Sequence, residues 1–378
     1  MFFKQKKYIA SLFTRCYYLS WHAVFLCYAI FLLLLSGCGN LSYLSQAAAG
    51  HFRVMGTRVP IEKILQHNRL NSESQKKPSL VEEKLRFDEE KLRKLRLALE
   101  VREFASAELG LPRNKSYTLF SEIKDEYLGW NVYATPRFSV EPITWCFPIA
   151  GCVVYRGYFS KEKALRFAKK LEDEGNDVYV SPISAYSTLG WYNDPVLNSH
   201  LRLSDVHLAG LIIHELAHQQ LYIKGDSRFS ESFAVTVERA GVLRWLKSSG
   251  RDSLMAEAVK MWEHEDLYHA KMLAARSKLS EIYTSYNKDN HTFQNPDAPY
   301  NYTEEQKQVM QQKKDSLLLE FTKEFGPARF GKINNAFFVP ANTYYSLVPQ
   351  FQRLLDSLGG DFAKFYKEAK RTGVLLSQ

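Results

Sequence analysis

The stretch Leu211-Ile-Ile-His-Glu-Leu-Ala-His-Gln-Gln-Leu221 carries two histidines, His214 and His218, four residues apart. On a helix this spacing puts both imidazoles on one face, where they can bind one zinc ion with Glu215 beside them as general base. The surrounding residues are almost all apolar, and burying two histidines and a glutamate among them is costly unless something satisfies them. The stretch therefore predicts a zinc site, and two core histidines hydrogen-bonded to neighbours are the alternative.

A catalytic zinc site has a third protein ligand and keeps a fourth position open. Glu231 follows in the segment Phe229-Ser-Glu-Ser-Phe-Ala234, and Lys224–Arg228 predicts a turn between the two segments, with Asp226 or Ser227 as N-cap. Two antiparallel helices would bring Glu231 back over the histidines. Glu238, seven residues further on, lies close to the same face and could accept a hydrogen bond from a ligand histidine.

The sequence His-Glu-Leu-Ala-His-Gln219, followed by Ser-Glu-Ser-Phe-Ala234 and Glu238, resembles the zinc signature of gluzincin aminopeptidases. The resemblance implies His214, His218 and Glu231 as zinc ligands and Glu215 as general base. Two departures matter. The loop between the two blocks is several residues shorter here, and nothing resembles the Gly-x-Met-Glu-Asn motif that recognises a free α-amine in those enzymes.

Further stretches resemble the predicted aminopeptidases found as bacterial envelope lipoproteins. They are Trp145–Cys152, Tyr155–Phe159, Ala185–Trp191 with Asp194-Pro195, and Asn334–Ala336. Because they run across almost the whole mature chain, the chain is identified as similar to that group, although the resemblance bears on the site more than on the substrate.

Zinc peptidase sites usually add a tyrosine or histidine that stabilises the oxyanion. Tyr344 is the best candidate because the lipoprotein family keeps a tyrosine there, and a core aromatic is its alternative interpretation. Tyr302 is a second candidate. His200 and His207 are interpreted as structural or solvent-exposed. The long helix near residue 90 and Asp194 are the two candidates for a group that anchors a substrate amine or blocks the cleft.

The N-terminus predicts an export signal. Four basic residues accompany an apolar run from Ala23 to Leu35, which suits a signal peptide better than a transmembrane helix. The run ends in Leu35-Ser-Gly-Cys38, which resembles a lipobox, so residues 1–37 are predicted to be removed and Cys38 to be lipidated. An uncleaved membrane anchor is the alternative. Gly39 favours the outer membrane by resemblance to Gram-negative lipoproteins, with the chain facing the periplasm.

The five cysteines agree with export. Cys16 and Cys27 leave with the signal and Cys38 takes the lipid, so only Cys146 and Cys152 remain. In an oxidising periplasm this pair predicts a small disulfide loop. Its spacing is not that of zinc ligands.

Charge excludes a nucleic-acid partner. The formal net charge is +9, and the signal holds four basic and no acidic residues, which leaves +9 − 4 = +5 for residues 38–378. Basic residues mostly alternate with acidic ones, as in 81–96, which is typical of a solvated helix face.

Three segments follow from the pattern: a signal peptide at 1–37, a lipidated tether and N-terminal segment at 38–79, with the tether over 38–50, and a metallopeptidase domain at 80–378. Within that domain the sequence predicts a long amphipathic helix at 80–109, strands at 130–134, 151–158 and 177–182, and a helix at 161–172. Residues beyond 203 are mostly helical, with a long helix at about 253–286 and a polar loop at 287–303.

The fold class is therefore α+β: a zincin-like metallopeptidase with a mixed β-sheet followed by a mostly helical zinc-binding region. In zincins the position of 185–190 provides an edge strand that pairs with an extended peptide.

The sequence favours a zinc metallopeptidase, and more narrowly an aminopeptidase, acting on periplasmic peptides and held to the membrane by its lipid. A zinc endopeptidase or amidase acting on envelope proteins or wall peptides remains open. So does a non-catalytic zinc-binding lipoprotein, which is disfavoured because three ligands plus Glu215 make an open site.

Overall fold

A computed structural model describes residues 38–72, 87–147, 151–183, 185, 187–286 and 302–376. By its internal contacts the chain divides into two units, Met1–Phe52 and Arg53–Gln378. The predicted signal peptide lies outside the described residues, as do residues 287–301 of the predicted loop. Among the helices that are described, none is long and apolar enough to cross a membrane.

Helices make up most of the described chain. They are α1 (Cys38–Gly56), α2 (Ile61–Ser72), α3 (Glu89–Ala107), α4 (Lys161–Asp173), α5 (Asp205–Gln220), α6 (Ser227–Ser248), α7 (Ser253–Ser285), α8 (Glu304–Phe325), α9 (Val339–Tyr345), α10 (Val348–Ser357) and α11 (Phe362–Leu376), with short 3₁₀ turns at His200–Arg202 and Asn335–Phe338.

Two of the described strands are eight residues long, and each of the others has two or three residues. The strands are β1 (Val59–Pro60), β2 (Leu119–Ser121), β3 (Gly129–Pro136), β4 (Trp145–Phe147), β5 (Gly151–Val153), β6 (Arg156–Tyr158), β7 (Asn176–Ile183) and β8 (Val196–Leu197). The α+β class, mostly helical with small sheets, is thus confirmed.

Helices α5 and α6 pack against each other at the centre of the larger core. Ser204 caps α5 by accepting a hydrogen bond from the backbone of His207, and Asp226 caps α6 by accepting one from Phe229. The predicted cap at Asp226 is therefore confirmed. Helices α6 and α3 cover most of α5. Apolar residues therefore occur on most sides of α5 rather than along one amphipathic stripe.

The predicted strands and the helix between them are present, but their pairing differs from the prediction. Strand β3 lies between β6 and β7 and is antiparallel to both, with Val132 opposite Val180. The sequence predicts a mixed sheet there. In the described residues parallel pairing occurs instead in a separate small sheet, between β2 and β8.

Two N-terminal expectations also differ from the structure. The segment predicted as a tether, 38–50, lies within helix α1. Residues from 53 onward belong to the larger unit, where Ile61 and Ile64 are completely buried in the core that contains α5. These two side chains need a core to cover them, so this unit begins before the residue 80 that the sequence suggests.

The predicted edge strand at 185–190 is wrong for the residues that are described there. Ala185 and residues 187–190 form no strand, and Leu189 and Gly190 have φ angles of 53° and 82°, which an extended strand does not allow. Strand β7, which ends at Ile183, is one of the two outer strands of its sheet within the described residues.

Candidate metal centre

The turn between α5 and α6 brings three predicted ligands together. His214 and His218 project from α5, and Glu231 lies in the second turn of α6. Ser230 fixes this turn, because its hydroxyl accepts from the backbone N–H of Ile223 at 3.0 Å and donates to the carbonyl of Asp226 at 2.9 Å. The two helices pack through apolar residues, and Glu231 meets the two histidines within that contact.

One carboxylate oxygen of Glu231 contacts both histidines. Its Oε2 lies 3.3 Å from Nε2 of His214 and 3.2 Å from Nε2 of His218. One ligand atom from each residue lies within 4.8 Å of the other two, which is the grouping needed to hold a metal ion. Glu231 and His218 are buried, with exposed fractions of 8% and 7%, so the group is shielded from bulk water.

Glu238 stands behind His214. Its Oε2 lies 2.9 Å from Nδ1 of His214, the ring nitrogen that faces away from Glu231. A carboxylate there favours the tautomer with the proton on Nδ1 and leaves Nε2 free to bind a metal ion. Nδ1 of His218 is buried with no hydrogen-bond partner among the described residues, so this support applies to one histidine of the two.

The charges of the group stabilise one another. Burial on its own raises the pKa of Glu231, but the charges and hydrogen bonds of His218 and His214 outweigh it and lower the pKa to about 2. Burial lowers the pKa of His214, and its hydrogen bonds to Glu231 and Glu238 outweigh that effect and raise it well above the usual value. Two carboxylates beside one imidazole form a site suited to a cation.

Glu215 follows His214 on α5 and is half-buried. Its negative charge acts on the phenols of Tyr117, Tyr155 and Tyr344. Glu215 is the neighbour of His214 in the chain, and both oxygens of its carboxylate remain outside the hydrogen bonds that join the histidines to Glu231 and Glu238.

Tyr344, the predicted oxyanion donor, lies beside the site. Its ring is 6.4 Å from that of His214, with an angle of 22° between the planes. The hydroxyl of Ser232, next to Glu231, donates to the backbone carbonyl of Tyr344 at 3.2 Å, which fixes helix α9 against α6. Burial above all, and then the charge of Glu231, raise the pKa of Tyr344 well above its usual value, so its hydroxyl keeps its proton.

Sequence reasoning did not identify two further tyrosines. Tyr133 is buried and Tyr155 is partly buried, their rings are 5.8 Å apart, and the charge of Glu231 contributes to raising both pKa values. Tyr155 stands in one of the stretches that resemble the lipoprotein family, but with 22 tyrosines in the chain no spacing marks it. Tyr302 lies elsewhere, since its hydroxyl donates to the carbonyl of Tyr283.

The remaining candidates have structural contacts. His200 accepts from the backbone N–H of Leu197 at 3.1 Å, and Nδ1 of His207 lies 2.7 Å from the hydroxyl of Ser204. Asp194 is completely buried, and its carboxylate accepts from the N–H and hydroxyl of Thr188 at 3.1 and 2.8 Å. The structure therefore uses Asp194 to fix the 188–194 loop.

The cysteine pair joins a hairpin near the turn between the ligand helices. Cys146 in β4 and Cys152 in β5 form a disulfide. At Gly151, whose φ is 78°, an added Cβ would come within 2.8 Å of the backbone nitrogen of Gly225, so the hairpin packs directly on that turn. Cys38, the predicted lipidation site, is the first residue of α1.

Comparison with known proteins agrees with the site. A family model described as "Putative aminopeptidase" matches residues 42–377. The chain therefore belongs to this family, whose description implies a hydrolase. No curated protein and no solved structure matches the chain significantly.

Proposed function

We propose that the chain is a zinc-dependent aminopeptidase of the bacterial cell envelope. The observation that carries the proposal is the convergence of His214, His218 and Glu231 on one point, with Glu215 adjacent. The family assignment supports the aminopeptidase class. A zincin-like arrangement, with a ligand helix beside a sheet and a second helix that returns a glutamate, is part of the same proposal.

Two of the three donor separations in the group are compatible with a zinc ion. Donor atoms around a tetrahedral zinc ion with bonds of about 2.0–2.1 Å are about 3.3 Å apart. The two separations from Glu231 Oε2, 3.3 and 3.2 Å, equal such an edge. Two imidazoles and one carboxylate are also the ligand set of catalytic rather than structural zinc sites.

Each residue around the proposed zinc position would have its own role in hydrolysis. A zinc ion held there would supply Lewis acidity, polarising the peptide carbonyl and making a nearby water more acidic. Glu215 would take the proton of the attacking water and pass it to the leaving amine. Tyr344, which keeps its hydroxyl proton, would donate a hydrogen bond to the developing oxyanion. Glu238 would hold the ring of His214 in its orientation.

An endopeptidase is the second candidate, and one observation favours it. An aminopeptidase needs a group that recognises the free α-amine, and Asp194, one of the two candidates for this role, is buried and bonded to Thr188. Its carboxylate can meet an amine only if the 188–194 loop moves. The family description favours the aminopeptidase.

The envelope location and the lipid anchor rest on the sequence. The lipobox-like stretch before Cys38 supports export and lipidation, and the Cys146–Cys152 disulfide agrees with an oxidising compartment. Metabolic labelling with a fatty acid tests the anchor: we expect label in the native chain and none in a Cys38→Ala variant. Label that persists in the variant would contradict lipidation at this residue.

The activity is tested on soluble protein that begins after Cys38. Elemental analysis should find one zinc per chain in the wild type and much less in His214→Ala. Aminoacyl p-nitroanilides of Ala, Leu, Phe and Lys are assayed beside their N-acetylated forms, with and without chelator. Chelator-sensitive cleavage of the free-amine substrates alone is the expected result, and cleavage of the acetylated forms would establish an endopeptidase.

Glu215→Gln is the matched variant, because it keeps the shape of the side chain and removes the base. We expect it to retain zinc and to lose turnover by about 10²- to 10⁴-fold. Full activity in this variant, or a folded wild type without zinc, would overturn the proposal and leave a binding lipoprotein as the better description.

A further inference from the structure

Tyr117 combines two features that destabilise a folded protein. Its φ is 62°, in the left-handed region that a bulky residue rarely adopts. Its side chain is 1% exposed, and its hydroxyl has no hydrogen-bond partner among the described residues. A glycine would remove the strain of the positive φ, and a phenylalanine would remove the hydroxyl that has no partner. A tyrosine that served only for packing would therefore lower the stability of the fold at this position.

The surrounding structure enforces this conformation. The backbone N–H of Tyr117 donates to the carbonyl of Asp194 at 2.6 Å. Immediately before it, the buried guanidinium of Arg102 donates to the carbonyls of Ser116, Pro112 and Asn114 at 2.8–2.9 Å. Arg102 thus fixes the backbone of the residues that precede Tyr117.

The same segment is bonded to the ligand helix. The side-chain amide of Gln219, the residue after His218, donates to the hydroxyl of Ser116 at 3.3 Å and accepts from Asn114 at 2.6 Å. Tyr117 also belongs to the apolar core formed with α5. Its position is therefore defined relative to the helix that carries His214, Glu215 and His218.

The charges near the phenol agree with this placement. Burial first, and then the charges of Glu215 and Asp194, raise the pKa of Tyr117 well above its usual value. The carboxylates of Asp194 and Glu238 already accept hydrogen bonds from Thr188 and His214. Glu215 lies four residues before Gln219, on the same face of α5 that meets Ser116, and in the part of the chain that the structure describes its carboxylate accepts no such bond.

We propose that Tyr117 is a positioning residue for Glu215, and that in the working enzyme its O–H donates to the Glu215 carboxylate and directs it toward the metal position. A phenol hydroxyl has one proton to donate and a carboxylate oxygen can accept it in a hydrogen bond, so the pair satisfies both groups. Hydrogen bonds of this kind are often long in the free enzyme and shorten when substrate binds. The inference rests on the proposed hydrolase function.

Tyr117→Phe tests it, because only the hydroxyl is removed. With the aminoacyl p-nitroanilide that the wild type cleaves best, we expect kcat to fall about ten- to a hundredfold. KM and zinc content should hold. Without substrate the Tm should stay equal or rise, because the hydroxyl has no partner among the described residues of the free protein. A residue that only packs would leave kcat unchanged, and that result would overturn the inference.

Tyr366→Phe is the matched control. Tyr366 is buried in the same core, but its hydroxyl donates to the carbonyl of Leu109 at 2.9 Å, away from the ligand group. This variant should lower Tm and leave kcat as in the wild type. Tyr117→Phe should therefore lower kcat without lowering Tm, whereas Tyr366→Phe should lower Tm without lowering kcat.

A double variant separates this inference from the proposed function. If Tyr117 acts through Glu215, adding Tyr117→Phe to Glu215→Gln should cause no further loss of the residual rate. An equal loss in both backgrounds would overturn the positioning role while leaving the hydrolase function in place. Unchanged activity in Glu215→Gln alone would instead remove the function on which the inference rests.

Discussion

The carboxylate of Glu238 occupies the space beside the Cα of Gly210, where an added Cβ would come within 2.8 Å of its Oε1 atom. Gly210 lies one helical turn before His214, the residue whose Nδ1 is 2.9 Å from the other oxygen of Glu238. The missing side chain thus gives Glu238 the room it needs to support a ligand histidine.

A Gly210→Ala substitution should therefore weaken metal binding. Alanine favours a helix over glycine by up to about 1 kcal/mol, so the metal-free protein should not become less stable through helix propensity. Displacing Glu238 removes the partner of His214, and loss of such a partner typically costs about 10–100-fold in metal affinity. Competition with a chromophoric zinc chelator measures the effect.

Gly56→Ala is the control for this prediction, because nothing lies within 4 Å of a Cβ added at Gly56. It should bind zinc as the wild type does. Wild-type affinity in Gly210→Ala would show that Glu238 does not support His214.

The stability of the protein should depend on pH through Asp205, the first residue of α5. Hydrogen bonds from Arg93 above all, and from the buried Lys94, overcome the effect of burial and lower the pKa of Asp205 to about 2 from 3.8. The resulting stability is fully present above pH 3.8 and is lost as the pH falls through about 2. A shift of this size corresponds to about 2 kcal/mol of unfolding free energy.

Asp205→Asn should therefore lower the unfolding free energy by about 2 kcal/mol at pH 7, and its difference from the wild type should shrink as the pH falls below 4. Urea titrations over this range measure it. The exposed pair of Glu103 and Arg113 is the control, because Glu103→Gln should change stability by less than about 1 kcal/mol. A difference in Asp205→Asn that is independent of pH would contradict the prediction.

The disulfide should stabilise the fold without being needed for the metal. Cys146 and Cys152 are six residues apart, and closing a loop of this size contributes about 2 kcal/mol through the entropy of the unfolded chain. A Cys146→Ser/Cys152→Ser variant should have a lower Tm and bind one zinc as before. Reductant should lower the Tm of the wild type to that of the variant and leave the variant unchanged. Loss of zinc from the variant would show that the hairpin is required to hold the turn at Gly225.

The ligand helices could be predicted from the sequence because their signals are local. The four-residue spacing of His214 and His218, the turn before Asp226, and the apolar residues around Glu231 lie in one continuous stretch. The strands at 130–134 and 177–182 were also predictable from their composition. Their antiparallel pairing was not, because it depends on which strands meet in space.

Of the tyrosines around the site, Tyr344 was predicted through the family resemblance, whereas Tyr117 and Tyr155 were not predicted. Tyr117 is distinguished by a positive φ and an unpaired hydroxyl, and neither property is visible in the sequence, where it follows Lys115-Ser116. Tyr155 and Tyr344 come from segments that are far apart in the chain, on either side of the ligand helices. Likewise, the role of Gly210 depends on a side chain of the next helix.

The ligands of the proposed zinc ion are close together along the chain, and this bears on how the protein folds. His214 and Glu231 are separated by 17 positions, whereas Ser232 and its partner Tyr344 are separated by 112. Closing a short loop costs less entropy than closing a long one, so the helical hairpin can form and capture its ion before the C-terminal segment docks. The ion would then act as a folding nucleus, and the last step of folding would be the one that confers activity.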